Sequence, residues 1–411
     1  MSKKGGKRKG SGRKKIGKLI NIRIENEILD RIEMNIEGIN RAEKIRKCLK
    51  RGLEKDMCKL NQKIKAISLF SGAGGFDIGC FLAGIDVAVS TDIEKDCIET
   101  LKINDKFKDT KIIHGDLHNI ESKAFKTLLD SVNYDKFIVI GGAPCQPFSK
   151  NGYWVGNKSR RGINDPRAKL VNEYLRVIQD LKPDGFVFEN VESLLHPTNK
   201  ILVDEFINII EDEGYNYKII KANGIHYGVP QKRKRLFIIG TKGTFKSDEP
   251  LKTHGTENEI KKNPQLLPVV TVGEVMSEYD KPEYFEPKEV VVGKYADDLK
   301  EIPPGMNYKA LTEWAGHPNP KFVADKKFWN FLLKLSPDIA SWTITAQPGP
   351  WIGPFHWNSR RLRVPEIAAI QTFPKGYNFY GNRSSIQKQI GNAVPPLMAK
   401  AMIEFVKQSL E

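Results

Sequence analysis

From Ile64 onward, strand-length apolar runs recur at Ala66–Phe70, Val87–Ser90, Lys111–His114, Phe137–Ile140, Gly185–Phe188 and Leu236–Ile239, with amphipathic segments between them. This alternation constrains the chain more than any other feature. Strands that each require a crossover helix before the next one can build only a mainly parallel sheet flanked by helices. The expectation for 64–240 is therefore an α/β domain whose ligands bind at the carboxyl ends of the strands. After Gly240 the alternation fails. Residues 241–343 are rich in Pro, Lys and aromatics, including Trp314, Phe328 and Trp329, with no clean period. Residues 344–411 pass through turns dense in Pro and Gly and end on a predicted helix, Leu397–Gln408.

The residues that carry chemistry fall at the predicted strand ends. Phe70-Ser71-Gly72-Ala73-Gly74-Gly75 follows the first strand. Its glycines let a ligand approach the backbone N–H groups of the helix that comes next. The order is not G-x-G-x-x-G, which argues against a dinucleotide. Asp92 closes the second strand, where a carboxylate can take ribose hydroxyls, and Asp116-Leu117 follows the third. Together they outline an adenosine site. The fourth strand runs into Gly141-Gly142-Ala143-Pro144-Cys145-Gln146-Pro147, a turn that presents Cys145 from the sheet edge. Glu189 stands at the end of the fifth strand, and Arg233 and Arg235 lead into the sixth run.

Charge separates the N-terminus from the rest. The chain carries 66 Lys and Arg against 50 Asp and Glu, a net +16. Residues 1–65 hold 21 of those bases and 8 of the acids, an excess of 13 that leaves only +3 for the remaining 346 residues. Such a concentration favours a polyanionic partner. Residues 1–17 read as a disordered basic arm. Ile20, Ile22 and Ile24 then alternate as in a strand, with Leu19, Asn21 and Arg23 on the opposite face. Two short helices follow, the second opening on the capping box Asn40-Arg41-Ala42-Glu43. Residues 55–63 read as a linker. Five cysteines without a C-x-x-C pair argue against a disulfide framework or a zinc knuckle. No apolar run reaches the ~18 residues of a membrane helix. The expectation is a reduced, cytoplasmic, nucleoid-associated protein that engages no metal and no membrane.

The ordered set Phe70–Gly75, Pro144-Cys145-Gln146, Glu189-Asn190-Val191, Gln231-Lys232-Arg233-Lys234-Arg235 and Gln389-Ile390-Gly391-Asn392-Ala393-Val394-Pro395 resembles the DNA (cytosine-5)-methyltransferases. The resemblance implies a Rossmann-like methyltransferase that uses S-adenosylmethionine and releases S-adenosylhomocysteine, with 241–343 as a smaller target-recognition domain. It places Phe70 and Ile93 around the adenine, Asp92 on the ribose and Asp116 with Leu117 near the adenine amino group. Pro144 and Leu170 map to the cofactor side; Gly72, Gly74, Gly75, Asn392 and Ala393 map to the methionine end. Ile93 replaces an aromatic residue of some members, Ala168-Lys169 a common Gly-Thr, and Val364 a usual proline. The first two changes are expected to weaken cofactor affinity.

The chemistry suits these groups. Carbon 5 of cytosine is a poor nucleophile, so a thiolate, here Cys145, must first add to carbon 6. Glu189 can then share a proton with N3, Arg235 face O2, and Arg233 orient the acid or the thiolate. The base must leave the duplex. Ser149, Arg160 and Arg161, in the segment after the nucleophile, are expected on DNA phosphates. Residues 18–54 in turn resemble the ribbon–helix–helix DNA-binding domain, which implies a homodimer whose Leu19, Asn21 and Arg23 read bases. The expected biology is modification of double-stranded DNA beside a cognate restriction endonuclease, with the N-terminal unit repressing the enzyme's own gene. The alternatives are a tRNA cytosine-5 methyltransferase and a DNA-binding repressor without catalysis.

Overall fold

The computed structural model describes residues 62–144, 169–324 and 329–411, together with Leu29 and 45–47. Residues 62–411 form one compact unit. Seven strands build its sheet: β1 (Ile64–Leu69), β2 (Asp86–Asp92), β3 (Lys111–His114), β4 (Lys136–Gly141), β5 (Gly185–Asn190), β6 (Asn216–Asn223) and β7 (Lys234–Thr241). Their spatial order is β3-β2-β1-β4-β5-β7-β6. The first five are parallel to one another, whereas β7 runs antiparallel to both β5 and β6. The expected mainly parallel sheet is present, with one reversed strand. β6 escaped the sequence reading because Lys218 and Lys221 flank a pair of isoleucines of which only Ile220 is buried, Ile219 facing solvent beside Lys221.

Side chains of the central strands alternate between two cores, as the two-residue repeat of a strand requires. Ile67, Leu69, Val139, Phe186, Phe188 and Ile238 face one core. It is closed by α3 (Ser122–Asp130), α4 (Lys169–Leu181) and α5 (Lys200–Asp212). Ala66, Ile138, Ile140, Val187, Phe237 and Ile239 face the other. It is closed by α1 (Gly75–Leu82) and the last helix, α8 (Pro396–Leu410). The helix α2 (Lys95–Lys102) lies between β2 and β3 in sequence. Being buried on both faces explains why these strands read as continuous apolar runs.

Residues after Thr241 form short helices and turns, with a separate core of Leu299, Ile302, Tyr308, Leu311, Phe331, Leu332 and Phe355. Tyr295, Phe331 and Trp351 meet there edge to face. The chain returns through α6 (Val364–Ile370) and α7 (Arg383–Asn392). An ionic knot marks the return. Arg363 grips Glu289 through Nε (2.5 Å) and Nη2 (3.0 Å), and Arg360 joins Glu366 (2.6 Å) to Asp280 (2.9 Å). His356 brings a third potential metal ligand beside Asp280 and Glu366. The Arg360 guanidinium already supplies positive charge to both carboxylates, and burial depresses the His356 pKa to about 3.

Candidate active site

The glycine turn is built as the sequence implies. Gly72 and Gly74 take φ of +54° and +78°, the left-handed region that costs glycine nothing. Gly74 is the N-cap of α1 and has no side chain to accept from the first N–H groups of the helix. Phe70 (φ +55°) turns out of β1 and packs, half-buried, at the margin of the first core. The Oδ2 atom of Asp92 accepts the Gly72 N–H and its Oδ1 the Glu94 N–H, both at 2.8 Å, tying the end of β2 to the turn. Burial raises the Asp92 pKa. Ile93 beside it is 58 % exposed, an apolar surface open to a flat ring. Asp116 caps a turn after β3, and the His118 ring Nδ1 (2.9 Å) together with the His118 backbone N–H (3.0 Å) holds its carboxyl below the usual carboxylate range. Leu117 is buried, Pro144 is exposed at the end of β4, and Leu170 packs half-buried at the start of α4. Asn392 is exposed at the end of α7 and Ala393 is half-buried after it. These donors, acids and apolar surfaces suit an adenosyl group joined to an amino acid.

The second group of residues lies around Glu189. Arg235 donates from Nε to Glu189 Oε1 at 2.8 Å, with both side chains nearly buried. Burial raises the Glu189 pKa, against the opposing charges of Arg235 and Arg233. Glu189 also lies against the turn that leads to Cys145. A Cβ on Gly142 would sit 2.7 Å from Glu189 Oε2, so a side chain there would push the carboxylate from this position. Asn190 Nδ2 donates to Ala143 O at 3.2 Å and holds the same turn. Sequence reasoning missed Gly142 and Asn190 as site residues. The available signal was the doubled glycine before Ala143-Pro144 and an amide directly after the acid.

Gln231, Arg233 and Arg235 point inward, while Lys232 and Lys234 are exposed. An extended segment alternates its side chains, so every second residue of this basic run serves the interior. Arg235 hydrogen-bonds the acid. Arg233, 1 % exposed, donates from Nη2 to Gly391 O (3.0 Å) and Asn392 O (3.4 Å). Cys145, Ser149, Arg160 and Arg161 lie outside the described residues, as do Leu19, Asn21, Arg23 and nearly all of the N-terminal unit.

A parallel sheet with a reversed strand, a glycine turn after β1 and acids at the ends of β2 and β3 define a Rossmann-like α/β methyltransferase. Over residues 64–408 the chain matches the family described as C-5 cytosine-specific DNA methylase, and it belongs to that family. It is 36 % identical over 375 residues to Type II methyltransferase M.SacI of Streptomyces achromogenes, covering 85 % of this chain and 94 % of that protein. It is 31 % identical over 346 residues to Type II methyltransferase M1.HphI of Haemophilus parahaemolyticus, covering 83 % and 86 % of the two chains. The solved structure of Entamoeba histolytica methyltransferase EhMeth superposes with a TM-score of 0.57 at 18 % identity, over 85 % of this chain and all of that one, and supports the fold. The chain is thus a DNA (cytosine-5)-methyltransferase, and its family uses S-adenosylmethionine. Among the described residues, no helix is long and apolar enough to cross a membrane.

Proposed function

We propose that this enzyme methylates cytosine within a specific double-stranded DNA sequence through a transient covalent bond between Cys145 and the flipped base. The observation that carries this reading is the buried Glu189–Arg235 pair set against Gly142, three residues before the cysteine. The Cys145 thiolate adds to carbon 6, and the electron pair displaced in the ring is met by a proton from Glu189 at N3. A carboxyl group whose pKa burial has raised is suited to hold that proton. Arg235 orients the acid and stabilises charge developing on the ring. S-adenosylmethionine, when bound, supplies the methyl group that carbon 5 takes up. Water or hydroxide then removes the carbon-5 proton, that electron pair re-forms the carbon 5–carbon 6 double bond, the thiolate leaves with the carbon–sulfur pair, and N3 returns its proton to Glu189. Gly72, Gly74, Gly75, Asp92, Asp116, Asn392 and Ala393 hold the cofactor in this reading, and Ser149, Arg160 and Arg161 hold DNA. A duplex containing 5-fluorocytosine tests it, because fluorine blocks the final elimination. With cofactor it should trap an adduct that Cys145→Ser abolishes; absence of the adduct refutes the mechanism.

The names of the relatives support a place in a restriction–modification system, alongside a cognate endonuclease. Residues 241–343 act as the target-recognition domain, and their irregular turns around an aromatic core suit loops that read a groove. The basic N-terminal unit serves as a ribbon–helix–helix dimer that binds an operator of the enzyme's own gene. Bisulfite sequencing of DNA from expressing cells reads both the activity and the methylated sequence.

A further inference from the structure

The end of α7 poses a problem that unusual partners solve. A helix leaves its last carbonyls without intrahelical donors, and here they precede the turn Asn392-Ala393. Gln389 O accepts from the Ala393 N–H (3.2 Å), while Ile390 O accepts from Gln371 Nε2 at 2.6 Å. Gly391 O and Asn392 O accept from Arg233, whose charge suits a helix C-terminus. Gln371 also reaches Ala393 O (3.2 Å), and its Oε1 accepts from the side chain of Gln231 at 2.7 Å. Gln371 and Gln231 are both fully buried. The next residue, Thr372, is held at φ +63°, and its hydroxyl oxygen accepts the Leu397 N–H at 3.2 Å. A β-branched residue stays in that region only where its surroundings fix it.

We propose that Gln371 is a positioning residue for methyl transfer: it locks the turn Asn392-Ala393 to the run Gln231–Arg235, so that closure at the cofactor's methionine end and the setting of Glu189 are one event. The inference rests on the roles given above to Glu189 and Asn392-Ala393. Through Arg233, which caps α7 and favours the Glu189 carboxylate, a disturbance at Gln371 reaches the acid.

The test uses the full-length enzyme, with S-adenosylhomocysteine binding measured by calorimetry and single-turnover rates followed against pH. Gln371→Met should weaken that binding about tenfold, the scale of one or two lost hydrogen bonds. It should also move the alkaline limb of the rate to higher pH, because an acid with less help from Arg233 keeps its proton longer. The isosteric Gln371→Glu keeps the shape but turns a carboxylate toward the carbonyls of Ile390 and Ala393. Its affinity should fall as pH rises and recover as pH falls. If both variants melt cooperatively yet bind within about twofold of wild type, a change below one hydrogen bond, with the alkaline limb unmoved, the coupling does not exist. An undiminished rate in Glu189→Gln would instead refute the assignment of the acid, and the binding arm would still report on Gln371.

Discussion

Asp77 offers a quantitative test of how the glycine turn is supported. It lies in the first turn of α1 with no exposed surface, and its carboxylate accepts from Ser68 Oγ (2.9 Å) on β1 and Ser90 Oγ (2.6 Å) on β2. Burial outweighs the two hydroxyls and raises its pKa from 3.8 to about 6. At ~1.36 kcal/mol per pKa unit, the ionised form costs the folded state about 3 kcal/mol relative to the protonated form. A carboxyl group raised in the folded state binds protons more tightly there than in the unfolded chain. Its stabilising contribution is therefore full below about pH 4 and is lost as pH rises through about 6. Asp77→Asn removes this titration, and both serines can rotate to serve an amide, one donating and one accepting. Denaturant melts of both proteins between pH 4 and 8 should show the wild type losing about 3 kcal/mol relative to the variant, then running parallel above pH 7. Subtraction cancels distant carboxylates shared by both chains. A difference independent of pH would refute the argument.

Other expectations concern the site and its frame. Glu189→Gln should lower the methylation rate by about 10²–10⁴-fold, the usual worth of a positioned proton donor, with S-adenosylhomocysteine binding little changed by calorimetry. Gly142→Ala should displace the Glu189 carboxylate and cut single-turnover rates by about tenfold or more while leaving the melting profile near wild type. Arg363→Ala removes both charge-assisted hydrogen bonds to Glu289, leaving it Arg360 Nε at 3.9 Å, and should cost roughly 2–3 kcal/mol in denaturant melts. On the proposed role of the N-terminal unit, the full chain should self-associate in sedimentation and bind its gene's own promoter, and deleting residues 1–61 should remove both while preserving methylation.

Much of the sheet was legible because its strands are buried on both faces and so appear as apolar runs. Phe137–Ile140 and Gly185–Phe188 are examples, each lengthened by two residues in the structure to Lys136–Gly141 and Gly185–Asn190. β6 was not legible, since an edge strand with one wet face carries lysines among its isoleucines. The positions of Asp92, Asp116 and Glu189 followed from their place at strand ends, where topology brings ligands. Their partners did not follow. No local pattern announces that Asp92 will take the Gly72 N–H, or that the amide of Gln371 will meet that of Gln231, 140 residues away. The first contact arises from the pairing of β1 with β2 and the second from how the end of α6 packs, and packing is not written in a window of sequence.

The basic run before β7 shows how a surface-like sequence encodes an interior. Five residues, Gln231 to Arg235, would suit a solvated edge if they were helical or unstructured. Extended, they separate by parity: the two lysines meet solvent, while the glutamine and both arginines turn inward. Each inward group answers a different buried need. Gln231 satisfies a second amide and the Ile344 N–H (3.1 Å), Arg233 serves the open carbonyls of α7, and Arg235 pairs with the acid. Arginine suits the last two positions because a guanidinium stays charged where a carboxyl group exchanges a proton. Lysine, which loses its proton more readily on burial, would let the charge beside the acid vary with the same pH that governs the acid itself. Under the proposed mechanism the two arginines keep a positive charge beside Glu189 while burial raises its pKa, the setting that a proton donor to the flipped base requires.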